Sequence, residues 1–271
     1  MRGRIGAALL AALTIPGEMP MAREGESDTS DIREIAVRVT DSMAEYRFRN
    51  GMTDEPVDTL DDHGLDFTSA RNGHPEDPDG IRFSYASGTC PVMLPPGRLL
   101  SVNYNAGHVY SATMLVPLDP LAFEAIQAMA QELVDAFRDA GWRQTSLSLP
   151  LTPEAFLDKT GSKWAEVARF AECDAPDTEA VIVAKHYNST PPGSAMPPAP
   201  LSAPLPDDAP DRFLLQVRFA GGVRELGFEL SDLARARRLA VHGDEKKALP
   251  LSVWLNDPDW RPEGWDGQYL P

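Results

Sequence analysis

The sequence predicts an α+β protein in which an antiparallel sheet, built from two hairpins, packs against one main helix. Two stretches of alternating apolar residues, 99–116 and 213–230, are each interrupted by a glycine-containing turn, which is typical of a β-hairpin. Between them, residues 120–140 carry apolar side chains along one helical stripe. The composition, with 42% hydrophobic and 24% charged residues, is that of a globular domain with a core of ordinary size.

The first residues have the order of a secretory signal: a basic start at Met1–Arg4, an uncharged apolar run over 5–15, and a helix-breaking Pro16–Gly17. We expect residues 1–22 to be a signal peptide, although Pro20 occupies a position where a small residue is typical. The apolar run is shorter than the roughly 20 residues that span a bilayer, so no stable membrane span is expected. The prediction is a periplasmic or secreted protein. The alternative is a buried N-terminal helix of a cytosolic protein.

The chain has two cysteines, Cys90 and Cys173. In an exported protein such a pair predicts a disulfide bond, because oxidising compartments allow the bond to form and persist. The alternative is two separate buried thiols, since free cysteine is among the most buried residue types.

Residues 23–187 are predicted to form the α+β domain. Its first element lies within residues 32–43, where apolar positions recur at helical spacing, while the β-branched residues of Ile35–Val39 also fit a strand. Both alternatives stay open. Residues 50–80 are rich in Asp, Gly and Pro and lack apolar periodicity, which predicts a long acidic surface loop. A short strand over 81–85 follows, because apolar and polar residues alternate there.

The first hairpin and the main helix form the centre of this domain. Leu99–Tyr104 leads into a turn at Asn105–Gly107, and His108–Val116 returns. Asp119 is a favourable N-cap for the helix over 120–140, and the proline that follows it fits the first helical position.

Four shorter elements complete the domain. A strand is predicted over 142–149, a short helix over 152–161, a second short helix over 162–171, and a buried strand over 179–187. Residues 188–211 are Pro-rich and predict a semi-rigid linker, because proline favours extended conformations and cannot pair inside a sheet. A binding segment for a proline-recognising partner is the alternative.

Residues 212–271 are predicted to complete the same lobe with the second hairpin, a short basic helix and a Trp-rich tail. The outgoing strand alternates over Phe213–Phe219, and the returning strand is predicted over Leu226–Leu230. Ser231 is the predicted cap of the basic helix. The tryptophans of the tail either stack on a ligand or pack over the fold.

The sequence lacks the common catalytic signatures. Lys159–Gly161 matches one motif of the serine penicillin-binding enzymes, but no lysine stands three residues after a serine, as their nucleophile motif requires. The chain has no Gly-x-Ser-x-Gly elbow, no His-Glu-x-x-His motif and no glycine-rich phosphate loop. Asp61–His63 could support a general base, but adjacent residues rarely point to the same spot. We therefore predict no catalytic residue, no metal and no cofactor.

The formal net charge of −16 repels nucleic acid and anionic lipid surfaces, whose binding requires clustered Lys and Arg. It suits a basic protein partner, with plain solubility as the alternative. The abundance of Arg, Ala and Pro is typical of a GC-rich bacterial genome. We predict an exported, acidic, non-enzymatic binding protein of the bacterial envelope, of the inhibitor or immunity type, that contacts its partner through Asp58, Asp61, Asp62 and Asp66. The alternative is an exported hydrolase whose triad or metal site assembles from distant residues, with His63 or His108 as the base.

Overall fold

The structure, a computed structural model, describes residues 32–54, 61–62, 67–72, 80–97, 99–156, 164–175, 177–187, 210–221 and 225–267. For 61–62 and 67–72 it describes the backbone alone. The predicted signal peptide and residues 188–209 of the predicted linker lie outside these ranges. All described residues belong to one compact unit, Ile32–Pro271.

The fold is mixed α+β. Within the described residues the strands are, in chain order, β1 (Arg33–Val37), β2 (Asp61–Asp62), β3 (Phe67–Asn72), β4 (Ile81–Tyr85), β5 (Val92–Met93), β6 (Leu99–Asn105), β7 (His108–Leu121), β8 (Arg143–Leu147), β9 (Trp164–Ala171), β10 (Glu179–His186), β11 (Phe213–Ala220) and β12 (Leu249–Pro250). The helices are α1 (Met43–Arg49), α2 (Phe123–Asp139), α3 (Glu225–His242) and α4 (Leu251–Asn256).

Seven strands form one antiparallel sheet in the order β3-β6-β7-β11-β10-β9-β8. A smaller sheet has the order β1-β4-β5, in which β1 and β4 are parallel. β12 and β2 form a two-stranded ribbon. The predicted large antiparallel sheet is therefore present, and β8 is one of its two outermost strands.

The core lies on the face of the large sheet that α2 covers. The apolar stripe of α2 is buried, and its Phe137 stacks on Phe170 of β9 at a centroid distance of 4.8 Å. Phe219 of β11 stacks on Phe83 and Tyr85 of β4 at 5.1 and 4.7 Å. Because full burial of such a ring contributes about 1.5–3 kcal/mol, these contacts hold α2 and both sheets together. The main helix therefore packs on a large antiparallel sheet, whereas the predicted assembly of that sheet from two hairpins is not confirmed.

The first predicted hairpin is confirmed as β6 and β7, which are joined by Ala106 and Gly107. Gly107 has φ +72°, and a Cβ at this position would stand 2.7 Å from the Cβ of Trp254. The turn therefore requires glycine both for its left-handed backbone and for the close approach of α4. It also places the predicted irregular tail against the hairpin.

The second predicted hairpin is wrong, because the chain returns from β11 as helix α3. Leu226, Leu230 and Leu233 are buried, while Phe228 is 61% exposed. The buried positions fit a helical repeat and not the alternation of a strand, although Leu226 and Leu230 alone satisfy both patterns. The predicted basic helix is confirmed as part of α3, but the helix begins before Ser231.

The predicted helix over 162–171 is also wrong, since β9 occupies Trp164–Ala171. Its alanines and apolar residues lie near helical spacing, but pairing with β8 on one side and β10 on the other fixes the segment as a strand. At residues 32–43 the strand alternative is correct over β1. Ser42 then begins α1 through a capping box with Glu45.

Other predicted elements are observed with shifted bounds. The strands over 81–85, 142–149 and 179–187 correspond to β4, β8 and β10. The short helix over 152–161 is a 3-10 turn at Pro153–Phe156, with its later residues outside the described ranges. The long loop over 50–80 is interrupted by β2 and β3.

The Trp-rich tail packs over the fold. Trp254 is 2% exposed, and the guanidinium of Arg237 on α3 lies over its ring at 4.4 Å and over that of Trp260 at 5.2 Å. Arg237 also donates hydrogen bonds to the carbonyl oxygens of Val253 and Asp257, each at 2.8 Å. A buried guanidinium with these partners fixes the tail to α3. No helix in the described part of the chain is long and apolar enough to cross a membrane.

Candidate functional site

The acidic residues predicted from the sequence to bind a partner are not brought together by any described contact. Asp58 and Asp66 lie outside the described residues. The backbones of Asp61 and Asp62 form β2 and pair with Pro250 and Leu249. Their role in binding stays a prediction.

The predicted disulfide between Cys90 and Cys173 is confirmed, with a Cα–Cα distance of 6.4 Å. It joins the segment between β4 and β5 to the segment after β9. Cys90 is buried, and its carbonyl oxygen accepts a hydrogen bond of 2.9 Å from the indole Nε1 of Trp142. Cys173 is exposed. The disulfide therefore links the exposed segment after β9 to a buried residue of the core.

A buried carboxylate lies next to this disulfide. The hydroxyl of Tyr85 donates a hydrogen bond of 2.9 Å to Oε2 of Glu172, which is 3% exposed. Burial, and then the charge of Glu172, raise the pKa of Tyr85 far above its ordinary value of 10, so the phenol remains a donor. Oε1 of Glu172 is buried without a hydrogen-bond partner among the described residues. Tyr85 and Glu172 are both buried in the aromatic core, so the hydrogen bond between them stabilises the fold.

His108, one of the two histidines predicted as a base, is 4% exposed at the start of β7. Its Nδ1 lies 2.9 Å from the carbonyl oxygen of Ala106, so this nitrogen carries the proton and donates. Burial lowers the pKa of His108, and the nearby Arg261 adds to the effect, so the ring is neutral at pH 7.

A hydroxyl and a carboxylate lie near His108, but they serve the start of α1. The Ser42 hydroxyl donates to Oε2 of Glu45 at 2.9 Å, and the Glu45 amide donates back to Ser42. No hydrogen bond between Ser42 and the His108 ring occurs in the described part of the chain. Because a nucleophile must be linked to its base, this cluster does not form a triad.

A carboxylate partner is found for His186, which lies at the end of β10. Its Nε2 lies 2.8 Å from Oδ1 of Asp211, whose side chain is 72% exposed. The ring packs edge-on against Phe213. His63 and His74 lie outside the described residues. Within the described ranges no cluster of three or more His, Cys, Asp or Glu side chains suits a metal ion.

Among the described residues a groove of about 410 Å³ lies between α2 and the end of β8, and we call it the α2–β8 groove. Its size lies within the range of about 300–1,000 Å³ that is usual for ligand pockets. Apolar surface is available there, since Leu147 is 42% exposed. The lining residues are Glu124, Gln127, Ala128, Gln131, Leu147, Leu149 and Pro150.

The exposed face of α2 carries four acidic side chains and one arginine, and one of the acidic side chains lies in the groove. Glu124 lines the groove itself, and Asp135 accepts hydrogen bonds from Gln131 at 3.0 and 3.1 Å. Arg138 is already engaged with Asp135 and with the side-chain oxygen of Gln144. Glu132 and Asp139 add two further exposed carboxylates. An apolar groove with an acidic rim suits a basic ligand that carries apolar side chains.

Sequence reasoning did not find this groove. The polar face of α2 is visible in its periodicity, and its acidic residues could have been noted. The position of Leu147 and Leu149 beside the helix depends on β8 being the outermost strand, which the sequence does not reveal. No protein-family model, curated protein or solved structure matches the chain.

Proposed function

We propose that this chain is an exported, non-enzymatic binding protein of the bacterial envelope, and that its α2–β8 groove receives a basic partner protein. The observation that carries the proposal is the combination of exposed apolar surface at Leu147 with the carboxylate of Glu124 in one groove. A protein of the inhibitor or immunity type neutralises a basic partner by binding it, and such binding requires a surface that offers both apolar contact and negative charge.

The charge of the whole chain supports the same proposal. A net charge of −16 attracts a basic partner over distances of about 8–10 Å at ordinary salt. Exposed rim carboxylates mainly raise the association rate, whereas the apolar centre of a contact slows dissociation. Complex formation is therefore expected to weaken as salt is added.

Export is supported by the confirmed disulfide together with the signal-like order of the first residues. Disulfides persist in oxidising compartments, such as the bacterial periplasm, and are rare in the cytosol. Mass measurement of the mature N-terminus tests this part of the proposal: a start near residue 23 agrees with export, whereas an intact Met1 or Arg2 contradicts it.

The binding proposal is tested with a matched pair of charge reversals, Glu124→Lys and Glu225→Lys. Both glutamates are exposed acidic residues in the first turn of a long helix, so reversal costs each helix a similar dipole interaction of about 0.3–1 kcal/mol. Both variants change the net charge equally, but only Glu124 lines the groove. The immobilised proteins are exposed to envelope extract at low and at high salt.

We expect a basic partner that is retained at low salt by the original protein and by Glu225→Lys, and that is released at high salt. Glu124→Lys is expected to retain it roughly tenfold less well, because an attractive charge in the contact becomes repulsive. A partner bound equally by both variants contradicts the groove as its site. Absence of any salt-sensitive basic partner contradicts the proposed function.

A further inference from the structure

We propose that the α2–β8 groove and the free edge of β8 bind an extended, basic segment of the partner, which adds to the large sheet as one further strand. This inference rests on the proposed function and names the conformation of the ligand. Strand addition to an exposed sheet edge is a common mode of peptide recognition, in which main-chain hydrogen bonds give affinity and side-chain pockets give specificity.

The edge of β8 is available in the described part of the chain. β8 is the last strand of the sheet and pairs with β9 alone among the described strands. All of its residues are half-buried or exposed. An outermost strand presents unpaired backbone N–H and C=O groups on its outer side. These groups are the hydrogen-bonding partners that an incoming strand requires.

Between its irregularity and Pro150, which lines the groove, the edge of β8 lacks the features by which edges are usually protected. Proteins guard edges with charges, prolines or bulges. Arg143 and an irregularity between Gln144 and Ser146 occupy the start of β8. From Ser146 to Leu149 no charged residue or proline follows. The unguarded part of the edge is therefore the part that meets the groove.

The register of β8 places the groove on the correct side of an added strand. Leu147 lies directly opposite Ala168 of β9, which is fully buried in the core that α2 covers. Leu147 therefore points to the α2 side of the sheet, consistent with its place in the groove. Side chains of an extended segment alternate between the two faces. Every second side chain of the added strand would enter the groove and contact Leu147 and Ala128.

The charge of the surface selects a basic occupant over a second copy of this chain. Glu124 is the acidic side chain of the groove, whereas Asp135 is already paired with Arg138 at 3.1 Å. The two carboxylates are separated along α2 by a rise of about 16 Å, which equals the length of about five extended residues. A segment of that length with apolar and basic residues in alternation satisfies both the groove and its rim. A second copy would bring another net charge of −16 to the same edge, and like charges oppose that contact.

The inference is tested by fluorescence anisotropy with a synthetic peptide of about eight residues in which Leu and Arg alternate. A second peptide carries N-methyl groups on alternate residues, which remove main-chain donors and block strand pairing while charge and apolar surface remain. A third peptide has Glu in place of Arg. We expect the first peptide to bind, and the N-methylated and acidic peptides to bind at least about tenfold more weakly.

The protein side is tested with Ala128→Phe and its control Ala125→Phe. Both alanines are exposed on α2, but Ala128 lines the groove and Ala125 does not. The first variant fills the groove without changing charge and is expected to weaken binding of the Leu-Arg peptide about tenfold, whereas the control leaves it unchanged. A second pair replaces an exposed apolar residue with aspartate: Leu147→Asp lies inside the groove, and its control Phe228→Asp lies outside it.

Several results would overturn the inference. Equal binding of the N-methylated peptide excludes strand addition, and equal effects of Ala128→Phe and Ala125→Phe exclude the groove. A dimer of the free protein that Leu147→Asp dissociates would assign the edge to a second copy. If no peptide binds while Glu124→Lys still loses the envelope partner, this inference fails and the proposed function stands. If the peptide binds as expected but no basic partner is found, the groove binds strands and the proposed function fails.

Discussion

Reduction of the Cys90–Cys173 disulfide is expected to lower the free energy of unfolding by about 4.5 kcal/mol. The two cysteines are separated by 83 residues, so the bond closes a long loop in the unfolded chain. In the chain-entropy model the stabilisation grows with the logarithm of loop length, and a loop of this size gives about 4.5 kcal/mol at 25 °C. For a chain of this size the loss corresponds to a fall of roughly 9–18 °C in Tm.

Because Cys90 is buried and has contacts other than the disulfide, we expect the folded state to change little when the bond is broken. The Trp142 indole donates to the Cys90 carbonyl oxygen, a contact that does not depend on the disulfide, and the Ser87 hydroxyl lies 3.3 Å from the Cys90 sulfur. The greater part of the effect therefore belongs to the unfolded chain, which gains conformations when the constraint is removed.

The assay is urea unfolding of the oxidised and reduced protein, followed by tryptophan fluorescence. A variant with Cys90→Ala and Cys173→Ser serves as the control, because reductant must leave its unfolding curve unchanged. A difference below about 1 kcal/mol between the oxidised and reduced forms refutes the loop-closure argument. Two free thiols in denatured, unreduced protein would show that the bond does not form.

Two buried polar groups give further expected outcomes. Burial lowers the folded-state pKa of His108 below its ordinary value of 6.5, so its contribution to stability is complete above that pH and is lost as the pH falls below it. Urea midpoints measured from about pH 7 to pH 5 are expected to fall less in His108→Asn, and equal slopes contradict this. Tyr85→Phe removes the donor to buried Glu172 and is expected to cost about 1–3 kcal/mol in urea unfolding. Addition of Glu172→Gln to that variant is expected to recover part of the loss, since the remaining buried group is then uncharged.

The elements that the sequence predicts correctly are those whose local pattern has one interpretation. The apolar stripe of 120–140 is too long for a strand, and α2 forms over most of it. The predicted cap at Asp119 is wrong, because Leu121 still pairs with Phe213 and the helix begins after Ala122. Sheet pairing thus overrides a favourable capping residue.

The incorrect assignments occur where helix and strand patterns coincide over a few residues. Leu226 and Leu230 fit both the helical repeat and the alternation of a strand. Only the burial of Leu233 and the exposure of Phe228 distinguish the two patterns. In β9, the choice depends on neighbours that are distant in the sequence. Pairing across the sheet is a tertiary property, so single-segment reasoning has no access to it.

The candidate site likewise has one part that the sequence predicts and one part that it does not. The disulfide follows from residue type and compartment, which the sequence carries. The α2–β8 groove depends on the order of strands, because Leu147 is exposed only through the outermost position of β8. Side-chain chemistry is readable from the sequence, whereas the meeting of Glu124 with Leu147 depends on topology.

The contact between Gly107 and Trp254 has a consequence for the order of events when the unfolded protein refolds. The partner of the turn is the Cβ of Trp254, which lies far along the chain in α4. Until α4 docks, the hairpin therefore has one side uncovered. Contacts of such large sequence separation form late and slow the approach to the native state. Docking of α4, and not completion of the sheet, is expected to set the time at which the refolding protein resists proteolysis.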